Sequence, residues 1–216
     1  MLLNSNSRTK IWKSSTEERQ MTEEKRPSHR LFAALYDPVT RPFEKRIAEH
    51  REYLTKGVQG DVLDLGAGTG ANFPYFSGTD ASVHAVEPDP HMRKRAKRRA
   101  DELGVSIEIR SDVAESLSYA YASFDYVVAG LVFCTIEDVD AALDEVARVL
   151  RTGGEFRFLE HVGDEGLTRR VQETLNPLWK RCAGGCNLAR DTLSVFEAHG
   201  EFETIETESF RDGVTP

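Results

Sequence analysis

VLDLGAGTG, residues 62–70, runs from an apolar stretch directly into three closely spaced glycines. The apolar half is typical of a strand that is buried on both faces of a parallel sheet. Gly66, Gly68 and Gly70 permit a tight turn, and a ligand can approach their backbone because no Cβ stands in the way. A helix that follows such a turn presents free N–H groups to the negative end of a ligand. The stretch therefore predicts a strand–turn–helix unit that binds a ligand.

Strand and helix patterns alternate along the rest of the chain. Apolar stretches predict further strands at ASVHAVEP (81–88), VSIEIRSD (105–112), FDYVVAGLVFC (124–134) and EFRFLEHV (155–162). Apolar spacing and capping residues predict helices over Arg41–Leu54, from Ala71 to Phe76, over Pro90–Leu103 and Glu137–Leu150, and between Asp191 and Gly200. Repeated β-α-β units imply a parallel sheet with helices on both faces. The predicted fold class is α/β, with a doubly wound, mostly parallel sheet in a single domain over residues 29–216.

Acidic residues accompany the first three predicted strands. Asp64 lies just ahead of the glycines, Glu87 ends the second strand and Asp112 ends the third. The pattern Gly66-x-Gly68-x-x-Ala71 also satisfies the relaxed signature of dinucleotide binding, and NAD would need Glu87 for its ribose. Asp64, however, would repel a pyrophosphate, whereas it suits the cationic amino end of a methionine moiety. Asp112 can accept a hydrogen bond from an adenine amine, so the three acids together favour S-adenosylmethionine over NAD.

The composition excludes several classes of protein. The chain has 216 residues, a net charge of -8 and no stretch that approaches the ~20 apolar residues of a membrane helix. The negative charge argues against nucleic acid as a partner, because phosphate contacts require a basic surface. Residues 1–28 are polar and lack a signal-peptide core, so we interpret them as a disordered arm and expect a cytoplasmic protein. Cys134, Cys182 and Cys186 are expected to be reduced thiols, and no metal site is predicted.

Four motifs resemble those of the class I S-adenosylmethionine-dependent methyltransferases. They are VLDLGAGTG, AVEPD, SDVAESL and RVLRTGGEFRFLEH, and they occur in the family's order between residues 60 and 161. The resemblance implies a Rossmann-like, seven-stranded sheet that binds S-adenosyl-L-methionine and releases S-adenosyl-L-homocysteine. Asp64 and the glycine loop would hold the methionine part, Glu87 the ribose, and Asp112 with Val113 the adenine. The full set implied for the cofactor is Asp64, Gly66, Ala67, Gly68, Gly70, Glu87, Pro88, Asp112, Val113 and Leu131.

Further segments are similar to one methyltransferase subfamily, which carries a methyltransferase type 11 domain. They are LYDPVTRPFE (35–44), FCTIEDVDAAL (133–143), FLEHV (158–162) and PLWKRCAGGCNLARDT (177–192). This subfamily contains thiol methyltransferases and relatives often labelled phospholipid methyltransferases. Its membrane-bound members have an apolar N-terminal anchor, and the polar residues 1–28 do not match it. The family sheet also ends in an antiparallel pair, of which FETIETESF (202–210) supplies one strand. Six residues follow, so we expect either a sheet without its last strand or a truncated chain.

The candidates for the chemical step lie where the family binds the methyl acceptor. His161 ends the fifth predicted strand, and it is interpreted either as a base or substrate contact or as a structural hydrogen-bonding residue. Tyr36 and Asp37 belong to the N-terminal segment that often covers the site in this fold, and they complete the predicted catalytic set. Cys186 and Arg190 could line the acceptor pocket. Glu160, which alternates to the other face of its strand, is expected to face a helix or form an ion pair.

Several functional hypotheses remain open from the sequence. The favoured one is transfer of a methyl group to a small-molecule acceptor, a thiol or similar soft nucleophile. The alternatives are phosphatidylethanolamine N-methylation and a sensor that binds S-adenosylmethionine without catalysis. Six basic residues between positions 93 and 99 predict a solvated helix face, with peripheral membrane contact as the alternative. The sequence indicates neither the acceptor's identity nor the oligomeric state.

Overall fold

The computed structural model describes residues 30–160, 172–177, 180, 185–187, 189–202 and 207. Within them, five strands form one sheet in the order β3-β2-β1-β4-β5, and every neighbouring pair is parallel. The strands are β1 (Gly60–Leu65), β2 (Ala81–Val86), β3 (Glu108–Arg110), β4 (Phe124–Gly130) and β5 (Leu150–Leu159). The order reverses between β2 and β4, on either side of β1. The predicted doubly wound α/β fold is confirmed.

Helices connect the strands and flank the sheet. They are α1 (Arg30–Arg46), α2 (Ala48–Thr55), α3 (Phe73–Phe76), α4 (Pro90–Leu103), α5 (Val139–Val149) and α6 (Thr192–Ala198). The bounds of α4 agree with the prediction because its end signals are strong. The Asp89 carboxylate accepts hydrogen bonds from the first free N–H groups of the helix, and Gly104 ends it in the left-handed conformation at φ +67°. None of the described helices is both long enough and apolar enough to cross a membrane.

The core has two layers, one on each face of the sheet, because successive side chains of a strand point in opposite directions. Leu63, Leu65 and Val127 belong to the layer that α5 and α6 cover. Val62 and Val128 belong to the other layer, together with residues of α2, α3 and α4. Alternation along β1 and β4 therefore explains why these strands carry almost unbroken apolar runs. The carboxyl ends of all the strands remain at one edge, where ligands bind in folds of this kind.

Some predicted bounds are wrong. The single helix over Arg41–Leu54 is two helices that meet at Ile47, whose φ of -93° and ψ of 6° lie outside the helical region. The chain turns there because α1 packs on α4 whereas α2 packs on β4 and β5. Gly200 is not the cap of the last helix, which ends at Ala198 with His199 as its cap residue. The predicted arm 1–28 and most of the predicted strand 202–210 lie outside the described residues.

Candidate functional site

The glycine loop leaves β1 at the carboxyl edge of the sheet. Gly66, Gly68 and Gly70 all have positive φ, at +65°, +57° and +81°. Residues that carry a side chain rarely adopt this backbone conformation, so the turn itself requires glycine at these positions. A Cβ at Gly66 would also overlap the side chain of Val132, which follows β4. The amide of Ala67 donates to the carbonyl of Val86 at 2.9 Å, which fixes the loop against the end of β2.

Asp64 lies in β1 immediately before this loop, with none of its surface exposed. Its Oδ1 accepts a hydrogen bond from Asn72 Nδ2 at 2.8 Å. Its Oδ2 is also buried, and no group in the described part of the chain donates a hydrogen bond to it. A buried carboxylate oxygen without a donor is unfavourable, so this atom marks a place where a ligand's donor would be stabilised.

A chain of side-chain contacts joins Asp64 to the N-terminal helix. Arg51 Nη1 donates to Asn72 Oδ1 at 2.7 Å, and the Arg51 guanidinium makes two further hydrogen bonds to Glu44, at 2.7 and 3.0 Å. Arg51 is only 2% exposed, so its buried charge depends on these hydrogen bonds far more than the charge of a surface arginine would. Glu44 of α1 and Arg51 of α2 therefore orient the Asn72 amide that holds Asp64.

Burial dominates the electrostatics of Asp64. The pKa of the carboxyl is raised from 3.8 to about 7, because burial and, to a smaller extent, the Glu87 charge outweigh the Asn72 hydrogen bond and the Arg51 charge, which lower it. A cationic ligand group beside Oδ2 would favour the ionised form and reverse the shift. The chemistry of this position therefore fits an ammonium group.

Glu87 follows β2 and reaches across to the glycine loop. Its Oε2 accepts a hydrogen bond from the Gly68 amide at 2.9 Å, and its Oε1 accepts one from the Asp89 amide at 2.8 Å. Burial raises the pKa of Glu87, and these two backbone donors lower it. Pro88 lies between Glu87 and Asp89 and is partly buried. Each carboxylate oxygen keeps a second lone pair, so the same group can accept hydrogen bonds from two hydroxyls of a ligand.

Asp112 and Leu131 lie further along the same edge. Asp112, two residues after β3, accepts hydrogen bonds at Oδ2 from the Ser118 amide at 2.8 Å and the Ser118 hydroxyl at 2.6 Å. Val113, beside it, forms a short bridge with Ser116. Leu131 directly follows β4 with φ +62°, a conformation that leucine rarely adopts and that concentrates at functional sites. The residues predicted for the cofactor thus follow β1, β2, β3 and β4 at one edge.

Asp37 contacts the glycine loop directly. Its Oδ1 accepts a hydrogen bond from Thr69 Oγ1 at 2.7 Å, and its Oδ2 accepts one from Arg95 of α4 at 2.9 Å. This places Asp37 beside the predicted cofactor position. Burial, followed by the charge of Glu44, raises the pKa of its neighbour Tyr36 to about 12. The Tyr36 phenol therefore keeps its proton at neutral pH and can act only as a hydrogen-bonding or positioning group.

The segment around Cys186 and Arg190 packs on the loop after β4. Arg190 Nη1 donates to the carbonyls of Phe133 and Ile136, at 2.5 and 2.6 Å. The amide of Asn187 donates to the Cys134 carbonyl at 2.9 Å. A hydrogen bond between the two thiols, followed by burial, raises the pKa of Cys134 well above its usual value. Cys186 and Arg190, which were predicted to line the acceptor pocket, therefore pack against the same loop. His161 lies outside the described residues.

Glu160 differs from its prediction. The described contacts of its carboxylate are with backbone, because Oε1 accepts hydrogen bonds from the amides of Val132 and Phe133 at 2.8 and 3.0 Å. Oε2 is buried and receives no hydrogen bond from the described residues. Burial raises the pKa of this carboxyl from 4.5 to about 7, against the amides of Phe133, Val132 and Cys134, which lower it. Glu160 thus points to the turn after β4, where either a helix-facing position or an ion pair was expected, and the described residues give it no ion pair.

Arg51, Asn72 and Thr69 were not predicted from the sequence as contributors to the site. The contacts of Glu160 with the turn after β4 were not predicted either. Thr69 stands inside the glycine stretch and Asn72 two residues after it, so their proximity to it was a usable signal. Arg51 lies on a helix with mixed polarity, where nothing local distinguishes a buried arginine from a solvated one. No cluster of three or more histidine, cysteine or acidic side chains suited to a metal ion occurs among the described residues.

Comparisons with known proteins agree with this geometry. A family described as "Methyltransferase domain" matches residues 63–158, from β1 to near the end of β5. Thiol S-methyltransferase TMT1B of Rattus norvegicus is 34% identical over 183 residues, which cover 79% of this chain and 74% of that protein. Phosphatidylethanolamine N-methyltransferase of Cereibacter sphaeroides is 32% identical over 119 residues, which cover 54% of this chain and 58% of that one.

Solved structures share the fold. The YcgJ protein of Bacillus subtilis superposes with a TM-score of 0.60 at 27% identity, covering 72% of this chain and 65% of its own. Geranyl diphosphate C-methyltransferase of Streptomyces coelicolor, solved with S-adenosyl-L-homocysteine among its ligands, has a TM-score of 0.56 at 16% identity. Its alignment covers 69% of this chain and 56% of that one. Together with the glycine loop and the sheet edge, these relationships show that the chain belongs to the S-adenosylmethionine-dependent methyltransferases.

Proposed function

We propose that this methyltransferase transfers the methyl group of S-adenosyl-L-methionine to the sulfur of a small thiol. The choice of a thiol as acceptor rests on one observation, the extent of the similarity to a thiol S-methyltransferase. It covers 79% of this chain. The similarity therefore extends beyond residues 63–158, which match the general methyltransferase family.

The cofactor roles follow from the position of each residue at the sheet edge. Asp64 faces the ammonium group, with Arg51 and Asn72 orienting its carboxylate. Glu87 accepts hydrogen bonds from the ribose hydroxyls. The remaining contacts are with the adenine, from Asp112 and Val113, and with the backbone or apolar surface of Gly66, Ala67, Gly68, Gly70, Pro88 and Leu131. When bound, the cofactor supplies a methyl group that its positive sulfur has already activated.

The chain's own task is therefore alignment. An in-line displacement requires the acceptor sulfur, the methyl carbon and the departing sulfur to lie on one line, and fixing that geometry can lower the barrier by about 7–11 kcal/mol. The N-terminal helix contributes by closing on the glycine loop through the Asp37–Thr69 hydrogen bond. Tyr36 would orient the acceptor by donating its proton in a hydrogen bond, and His161 stays a predicted contact on the acceptor side.

The alternatives have weaker support. The phosphatidylethanolamine N-methyltransferase matches a smaller share of this chain than the thiol S-methyltransferase does. The basic residues of α4 also have structural partners, since Arg95 pairs with Asp37 and Arg98 pairs with Glu102. Peripheral membrane contact through α4, the cytoplasmic location and the non-catalytic sensor hypothesis stay predictions. A sensor would keep the cofactor residues but methylate no acceptor.

The test is a methylation screen with the purified full chain. S-adenosylmethionine labelled in its methyl group is offered with alkyl thiols, aryl thiols, primary amines and vesicles that contain phosphatidylethanolamine, and the products are identified by mass spectrometry. We expect labelled thioethers from the thiols and no labelled lipid. The variant Asp64→Ala should lose cofactor binding, which confirms that turnover comes from this site. Labelled lipid without labelled thioether, or cofactor binding without any product, would contradict the proposal.

A further inference from the structure

Glu160 stands where β4, which neighbours the glycine-loop strand β1, and β5 end together. Leu159 of β5 pairs with Gly130 of β4, so the following residues, Glu160 and Leu131, emerge side by side at the carboxyl edge. The Leu131 amide donates to the Leu159 carbonyl at 2.7 Å, which fixes this arrangement. One residue further, Val132 lies against Gly66 of the cofactor loop. Glu160 thus follows the second strand from β1, with only β4 between them, on the side assigned to the acceptor.

The two carboxylate oxygens of Glu160 have different surroundings. Oε1 is anchored by two amides, from Val132 at 2.8 Å and Phe133 at 3.0 Å. Oε2 is buried, and the described residues provide it with no hydrogen bond. A purely structural cap for the turn would need only Oε1. The second oxygen is held rigidly, has free lone pairs and lies in a water-poor environment, as a proton acceptor in an active site does.

Among the described residues, charged and titratable groups lie close to this carboxylate and to its neighbour Cys134. The turn after β4 contributes the Cys134 thiol, and the segment packed on it contributes the Cys186 thiol and the Arg190 guanidinium. The Tyr36 phenol of α1 interacts electrostatically with Cys134. The Arg190 guanidinium donates to the carbonyls of Phe133 and Ile136. Burial raises the pKa of Glu160 to about 7, so at neutral pH the group can both take up and release a proton.

We propose that Glu160 Oε2 accepts the proton of the acceptor thiol during methyl transfer. This inference rests on the proposed function. In the step, the S–H bond of the acceptor breaks and its proton goes to Oε2, while the acceptor sulfur forms a bond to the methyl carbon. The bond between that carbon and the sulfonium breaks, and its electron pair returns to the sulfur, which becomes a neutral thioether. Glu160 then releases the proton to water, which restores the carboxylate.

The test compares Glu160→Gln with the unchanged protein on two acceptors. Glutamine keeps an oxygen that can accept the two amide hydrogen bonds, but it cannot take up a proton. With an alkyl thiol, which is mostly protonated at pH 7, we expect kcat/KM to fall by about 100-fold or more, the usual effect of losing a general base. With 4-nitrothiophenol, which is already a thiolate at pH 7, we expect a change of less than about 5-fold, because no proton has to be removed.

The pH profile gives a second readout. With the alkyl thiol, kcat/KM of the unchanged protein should rise through a limb near pH 7, and in Glu160→Gln this limb should move to the ionisation range of the free thiol. Calorimetry with S-adenosyl-L-homocysteine and a thermal unfolding curve confirm that the variant is folded and binds cofactor. Glu155→Gln is the matched control, since Glu155 is an exposed glutamate of β5 that pairs with Arg157.

The outcomes separate the two proposals. Equal loss of activity with both acceptors would show that Glu160 only supports the turn, and unchanged activity with both would show that it is dispensable. Either result overturns this inference while leaving thiol methylation intact. If the unchanged protein binds S-adenosyl-L-homocysteine but methylates no thiol at all, the proposed function fails and the inference fails with it.

Discussion

Replacing Asp64 by asparagine should stabilise the cofactor-free protein in a pH-dependent manner. The Asp64 carboxyl ionises from about pH 3.8 in the unfolded chain but only above about pH 7 in the folded one, because it is completely buried. Between these two values the folded state holds a proton that the unfolded state has lost. Stability therefore falls as the pH rises through this range, and it levels off above pH 7. Asparagine keeps the acceptor for Asn72 and does not titrate.

The size of this pH-dependent stabilisation follows from the difference between the pKa values of Asp64 in the folded and unfolded chain. Between pH 5 and about pH 7 the folded state carries one proton more than the unfolded state, and each of these two pH units lowers the stability of the unchanged protein by about 1.4 kcal/mol. From pH 5 to pH 8, Asp64→Asn should therefore gain about 3 kcal/mol of stability relative to the unchanged protein. For a chain of this length, this corresponds to roughly 10 °C in Tm. Urea and thermal unfolding of the two cofactor-free proteins at both pH values measure the difference directly. The other titrating groups are common to both proteins, so the contributions of those that do not interact with Asp64 cancel; Glu87, whose charge acts on Asp64, is the main exception.

The control for this prediction is Glu102→Gln, which changes an exposed carboxylate whose contact with Arg98 is a surface ion pair. It should change stability by less than about 1 kcal/mol at either pH. The reasoning is refuted if Asp64→Asn shows the same stability difference from the unchanged protein at pH 5 and pH 8, or if its advantage is greater at pH 5. The gain in stability should come with a loss of affinity for S-adenosyl-L-homocysteine, because an amide cannot neutralise an ammonium group.

Three further substitutions test the site. Gly66→Ala should abolish cofactor binding in calorimetry, since the added Cβ overlaps Val132 and disfavours the positive φ; a normal affinity would contradict this. Arg51→Met leaves Glu44 without its cation and should lower the free energy of unfolding by about 3 kcal/mol in urea. It should also weaken S-adenosyl-L-homocysteine far more than 5′-methylthioadenosine, which lacks the amino-acid end, and equal weakening would argue against a role at that end. Asp37→Ala removes the acceptor for Thr69 and should weaken S-adenosyl-L-homocysteine by about 5-fold, equivalent to about 1 kcal/mol, and an unchanged affinity would show that this contact is incidental.

The sequence predicted the parts of the fold and site that depend on local signals. The positive φ angles of Gly66, Gly68 and Gly70 follow from their spacing after a buried strand. Asp64 and Glu87 lie at one edge because parallel strands bring their carboxyl ends together. The bounds of α4 were predictable because Asp89, Pro90 and Gly104 are strong end signals. In each case neighbouring residues alone decide the conformation.

The remainder depends on contacts between distant parts of the chain. Arg51 and Glu44 lie on two helices, and only the turn at Ile47 brings them together over Asn72. Asp37 could be expected near the site, but its contact with Thr69, 32 positions away, could not be derived from spacing. Glu160 was expected to face a helix or form an ion pair, because strand alternation indicates only which face a side chain takes. It does not indicate that a neighbouring turn offers two free amides.

A structure of the chain in complex with S-adenosyl-L-homocysteine is the most direct measurement of the central claim. The account predicts that the nucleoside lies across the carboxyl ends of β1 and β2, with both ribose hydroxyls on Glu87 and the ammonium group next to Asp64. The adenine should lie beside Asp112. A ligand bound away from this edge, or one whose ribose makes no contact with Glu87, would contradict the account.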